Sequence, residues 1–100
     1  MDTRTLKRYA NRVRVLKALA HPSRLLIVDR LGEKEHNVHE LTGMIGSDKS
    51  TVSRHLSILR NAGVVRDEKR GASVYYSLRC RCVLTFFSCT DAVLKTTGGA

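Results

Sequence analysis

A mostly α domain with one small β-hairpin, about five helices and a two-stranded wing, is the fold class this sequence predicts. Three observations carry it. Apolar residues recur at steps of three and four through most of the chain, one segment is bracketed by both a helix start and a helix stop signal, and strict alternation appears only in "SVYYSL". With 100 residues and 42% hydrophobic content, the chain suits one domain over residues 1–100, with a core small enough that dimerisation would support it.

Each element follows from local pattern. Leu6, Tyr9, Val13, Leu16 and Ala20 form one helical stripe, so a first helix is expected over Leu6–Ala20. In "AHPSRLLIVDRLGE" the only proline, Pro22, suits a first helical position. Leu25, Leu26, Ile27, Val28 and Leu31 then predict a largely buried second helix with Gly32 as its stop. Val38 reads as a short extended segment, and "HELTGMIG" as a short third helix ending at Gly46.

The stretch "SDKSTVSRHLSILRNAG" is the most informative. Asp48 can cap free N–H groups of a first turn, and Gly63 suits the left-handed position after a last one, which predicts a helix over Lys49–Ala62. At ~100° per residue, Leu56, Val52, Leu59, His55, Ala62 and Ile58 share an arc of about 160°. Lys49, Arg60, Ser53, Ser57, Ser50, Asn61 and Arg54 lie opposite. That outer side holds hydroxyls, an amide and cations with no acid, a composition suited to phosphates and base edges rather than to water alone.

In "VVRDEKRGASVYYSL", Val74, Tyr76 and Leu78 alternate with Ser73, Tyr75 and Ser77, and Val64 and Val65 begin a partner strand. The charged tip "EKRGA" is then a hairpin turn around Gly71. Two short helices followed by a hairpin with a cationic tip describe a winged helix-turn-helix. A last helix is expected over Cys82–Lys95, with "TTGGA" as a frayed end. A homodimer is expected from the Leu6, Tyr9, Val13 and Leu16 stripe packing with Phe86, Phe87 and Val93.

Eighteen Lys and Arg against nine Asp and Glu give a formal charge of +9, which points to nucleic acid as the partner. No apolar run exceeds the four residues Leu25–Val28, so no membrane segment or secretory signal is expected and the cytoplasm is the expected compartment. Catalysis is not expected: the only nucleophile candidates are thiols, without a Cys-x-x-Cys at a helix start, a Gly-rich phosphate loop or a Ser/His/acid arrangement. A protein-interaction module such as an antitoxin is the remaining alternative. The DNA-contacting residues expected are Lys49, Ser50, Thr51, Ser53, Arg54 and Ser57 on the helix, with Lys69 and Arg70 on the hairpin. His55 is expected to be buried and hydrogen-bonded, His21 to serve as a local turn or cap residue, and His36 and His39 to face solvent.

All three cysteines lie in "CRCVLTFFSC", Cys80 to Cys89. An odd number suits reduced thiols better than a disulfide framework. On one helix, Cys82 and Cys89 would lie ~10.5 Å apart along the axis, too far to share an ion or form a disulfide. Two arrangements remain: Cys80 and Cys82 meet Cys89 of a partner subunit, or the "CRC" segment folds back over Cys89 in the same chain. Three thiolates suit As(III) or Sb(III) as an inducer, with Cd(II) or Zn(II) wanting a fourth donor, and no resident cofactor is required. Arg79 and Arg81 would lower the thiol pKa of Cys80 and Cys82. Small hydrophobic packing of the thiols, or redox or persulfide sensing, are the other readings.

"LKALAHPSRLLIVDRL", "VHELTGMIGSDKSTVSRHLSILRNAGVV" and "RGASVYYSL" resemble the ArsR/SmtB family of metal-responsive repressors over about residues 13–79, most specifically in "STVSRHLSILRNAGVV". The resemblance implies a dimer through the first and last helices, binding to an imperfect palindrome near the regulator's own promoter, and release on inducer binding. It also places the Lys49–Ala62 helix in the major groove and makes the Gly71 hairpin the wing. Members that sense arsenite just before the recognition helix carry a cysteine pair where this chain reads "HELTGMIG", so the resemblance directs the inducer to Cys80, Cys82 and Cys89.

Overall fold

A computed structural model of the protein describes residues 1–98. Its elements run α1 (Thr3–Leu19), α2 (Pro22–Glu33), β1 (His36–Asn37), α3 (Val38–Ile45), α4 (Lys49–Asn61), β2 (Val65–Arg70), β3 (Ser73–Leu78) and α5 (Cys82–Thr97). This is a winged helix-turn-helix, with α3 and α4 as the helix pair and β2–β3 as the wing.

Helix ends follow side-chain chemistry. Asp2 caps α1 by accepting from the Thr5 N–H at 2.7 Å. His21 caps α2 through Nδ1, which accepts from the Ser23 N–H at 3.1 Å, with Pro22 opening the helix as expected. Asn37 and Glu40 cap α3 reciprocally, at 2.8 and 3.0 Å. Gly46 ends α3 at φ 80°, and Gly63 follows α4 at φ 82°, both in the left-handed region where a side chain would be strained.

Five expectations need correction. Gly32 does not stop α2 but lies inside it, because a Cβ there would come within 3.0 Å of the Leu84 methyl groups: the glycine lets α5 approach α2. Val38 is not extended but opens α3. The extended pair just before it, His36–Asn37, joins the wing opposite Tyr76 and Tyr75, so the sheet has three antiparallel strands in the order β1-β3-β2 rather than two. Glu68, Lys69 and Arg70 are strand rather than turn, since the Arg70↔Ser73 register leaves only Gly71 and Ala72 to link the strands, with Gly71 at φ 61°. The helix α5 continues through Thr96 and Thr97, the first two residues of the expected frayed end; Gly99 and Ala100 lie outside the described residues.

The core gathers Leu19 of α1, Ile27, Val28 and Leu31 of α2, Leu41 of α3, Val52, Leu56 and Leu59 of α4, and Val65, Tyr76 and Leu78 of the sheet. Val83, Leu84 and Phe87 of α5 pack against it. Most of α1 stands away from this core: only Ala18 and Leu19 are buried, while Leu6, Tyr9, Val13 and Leu16 are exposed. No described helix is long and apolar enough to cross a membrane.

Candidate functional site

The inner face of α4 seats the outer one. Val52, Leu56 and Leu59 are fully buried and His55 nearly so, with Ile58 and Ala62 half-buried, which matches the arc expected from the sequence. Asp48 accepts from the Thr51 N–H at 2.7 Å and from the Ser50 hydroxyl at 3.0 Å. These bonds, the Thr51 amide first, hold its carboxyl below the usual range. Ser50 is thus partly committed to the cap.

Lys49 and Arg54 are exposed, and Thr51, Ser53 and Ser57 are half-buried along the same side. Among the described residues, neither Arg54 nor Lys49 is paired with an acid. Arg60 differs, because Asp67 of β2 engages it at 3.0 Å. That pairing ties the end of α4 to the wing and removes one cation from the open face.

On the wing, Lys69 is exposed, whereas Arg70 is held by Glu35 and Glu68 and stacks 5.0 Å from the Tyr75 ring centre. The Glu35 hydrogen bond, then that of Glu68, raises the Arg70 pKa, and Arg70 in turn lowers that of Glu35. Lys69 is therefore the freer of the two cations expected at the wing.

His55 and His21 occupy the roles expected of them. Arg24, which the sequence did not single out, donates from Nε to His55 Nδ1 at 3.1 Å and from its guanidinium to the Lys17 and Ala18 carbonyls at 3.4 and 3.3 Å. One side chain thereby joins the end of α1 to α4. The His21 ring lies 4.5 Å from that of His55. Burial first, then the positive fields of His21, Arg24 and Arg54, hold the His55 pKa below its ordinary value. The folded chain then binds fewer protons at His55 than the unfolded chain. Its stability contribution is complete above the unfolded pKa near ~6.5 and declines as pH falls through that value. A thermal midpoint that falls between pH 8 and pH 5.5, with a smaller fall in His55→Gln, is the expected result; identical pH profiles would contradict it.

His39 is exposed as expected, but His36 is buried at 4% exposure. Its strand pairs with β3 and carries the ring inward, where among the described residues Nδ1 lacks a hydrogen-bond partner and Glu40 Oε2 is 3.7 Å away.

The cysteines separate. Arg81, in the right-handed helical region, turns the chain between β3 and α5, so that Cys80 and Cys82 lie 5.4 Å apart at Cα and form a disulfide. Helix spacing could not reveal this, because Cys80 precedes the helix. Cys89 is free and exposed on α5. Fold-back of "CRC" over Cys89 is therefore not observed, and among the described residues no three Cys, His, Asp or Glu side chains form a metal-binding group. Arg81 instead donates to the Gly32 carbonyl at 3.0 Å, fastening the start of α5 to α2.

The chain is similar to known proteins in sequence and in fold. Residues 21–67 match the family described as bacterial regulatory protein, arsR family. The chain is 37% identical over 79 residues to the biofilm growth-associated repressor of Xylella fastidiosa, covering 78% of this chain and 69% of that protein. It is 45% identical over 64 residues to the HTH-type transcriptional repressor SmtB of Mycobacterium tuberculosis, covering 64% of this chain and 47% of that repressor, so it spans about half the repressor's length. A solution structure of the homodimeric winged helix-turn-helix DNA-binding domain of a possible ArsR-family regulator from Mycobacterium bovis superposes with a TM-score of 0.83 at 28% identity, covering 95% of this chain and 88% of that one.

Proposed function

Since this chain belongs to the ArsR family of bacterial regulatory proteins, we propose that it is a homodimeric transcriptional repressor that reads duplex DNA with the outer face of α4. The observation that carries this reading is the α4 face itself, with Lys49 and Arg54 exposed beside small hydroxyls. Lys49, Ser50, Thr51, Ser53, Arg54 and Ser57 would face the major groove, with Lys69 on the adjacent phosphates and Arg70 in a lesser part. The operator would be an imperfect palindrome matching the two-fold axis of the dimer.

A homodimer fits the exposed apolar surface. Leu16, Leu25, Phe86, Phe87 and Leu94 line one groove between α1, α2 and α5, and Val93 is 61% exposed beside it. Leu6, Tyr9 and Val13 are exposed as well, lining a second groove between α1 and α4 with Ile58 and Ala62. The radius of gyration, 15.1 Å, exceeds the ~13 Å of a compact domain of this length, as helices reaching toward a partner would give. Selection of duplexes from a random library, followed by salt titration and sedimentation, tests the proposal. A preferred, two-fold-related sequence bound by a dimer is expected. Uniform affinity for all duplexes, or a monomer at ~10 µM protein, would overturn it.

The inducer would act at the β3–α5 junction. With their disulfide reduced, Cys80 and Cys82 would supply two thiolate donors at one place, and Cys89 of a partner subunit would have to supply the third for As(III) or Sb(III). Binding would change the angle between subunits and hence the spacing of the two α4 helices, a coupling of about 1–3 kcal/mol. The Cys80–Cys82 bridge favours a second reading, thiol oxidation: the two thiols give two protons and two electrons to hydrogen peroxide, which is reduced to two waters as the S–S bond forms. Serine variants separate the two. Cys89→Ser should abolish arsenite-induced release but spare peroxide-induced release, whereas Cys80→Ser and Cys82→Ser should lose both. If all three variants respond like the parent, the cysteines are structural.

A further inference from the structure

We propose, resting on the DNA-binding reading above, that the cleft between the wing turn and the first residues of α3 and α4 is a seat for one backbone phosphate, held by His39 and Lys49. The sequence suggested solvent for His39; the fold gives it a neighbour. The cleft is walled by Asn37, Val38 and His39 at the start of α3, Lys49 at the start of α4, and Ala72, Ser73 and Val74 of the wing. These three elements must all meet the duplex if α4 enters its groove and the wing lies alongside.

Charge and size both favour a phosphodiester. Among the described residues, no carboxylate lines the cleft. The nearest acids are occupied elsewhere: Glu40 accepts from the Asn37 N–H, and Asp48 accepts from Thr51 and Ser50. Arg70, the wing cation beside this turn, is already engaged by Glu35 and Glu68. His39 and Lys49 are both exposed, and among the described residues neither is paired with an acid. The volume of about 190 Å³ lies below the ~300–1,000 Å³ of ordinary small-molecule pockets, yet admits a tetrahedral phosphate. A phosphate there would touch α3, α4 and the wing together, fixing how far α4 enters the groove without reading any base.

The test uses the full chain and a duplex selected on the parent protein, in which single phosphates are replaced one at a time by uncharged methylphosphonates. One position near each half-site should weaken parent binding several-fold, and that penalty should vanish in His39→Ala and in Lys49→Ala. His39→Ala should lower affinity for selected and random duplexes alike and flatten the salt dependence by at most ~0.9 in log–log slope, with the thermal midpoint unchanged because the ring is exposed. His39→Lys should restore both affinity and slope. Penalties that simply add, or a His39→Ala variant with parental affinity and slope, would overturn the seat while leaving the DNA-binding reading intact. Failure of the parent to prefer any duplex would instead overturn that reading.

Discussion

Leu56→Ala should lower the unfolding free energy by about 2–5 kcal/mol. The side chain is fully buried between Val52 and Leu59 on the inner face of α4, in the same core as Ile27, Val28 and Leu41. Truncation removes its transfer free energy and leaves a cavity that surrounding helices fill only in part. Against a typical total of about 5–15 kcal/mol, this is a large share. Urea unfolding at fixed protein concentration should show a lower midpoint with an unchanged slope. Leu56→Met, which keeps the volume, should cost less than ~1.5 kcal/mol. A loss within ~0.5 kcal/mol for alanine would mean that α4 is not seated as described.

Arg54→Ala should remove about 1–3 kcal/mol of discrimination between the operator and other duplexes, if its guanidinium meets a guanine edge. Lys69→Ala should act differently, weakening every duplex to a similar degree and reducing the log–log salt slope by about 0.9. Arg70→Ala should have a smaller effect on that slope, because Glu35 and Glu68 already neutralise its charge. Glu35→Gln should partly release Arg70 and steepen the slope. Binding measured on selected and random duplexes at several salt concentrations separates these outcomes. Equal behaviour of Arg54→Ala and Lys69→Ala would mean that base reading and phosphate contact are wrongly assigned.

Much of the candidate interface was legible because it lies on one continuous helix. Asp48 and Gly63 mark its ends, and periodicity sorts its two faces, so the burial of His55 follows from its place on the apolar arc. The alternation in "SVYYSL" located β3 for the same local reason. The partners were not legible. Arg70 meets Glu35 across 35 positions, Arg60 meets Asp67 across the turn between α4 and β2, and Arg24 meets His55 across 31 positions. Charge patterning shows that such residues can pair, but not which pairs the fold brings together.

What the sequence by itself determined is the set of elements whose signals are carried within a few residues: the caps, the amphipathic faces, the hairpin and the basic balance. Tertiary structure alone decided the rest. A two-residue strand has no period, so β1 exists only because β3 offers it an open edge, and that pairing is what buries His36. Gly32 reads as a helix stop until Leu84 of α5 arrives beside it. Cys80 and Cys82 become neighbours because the chain turns at Arg81, while Cys89 stays apart on α5. In each case the deciding contact, whether strand pairing, side-chain packing or a disulfide, joins segments distant in the chain or on either side of a turn, and no local pattern records it.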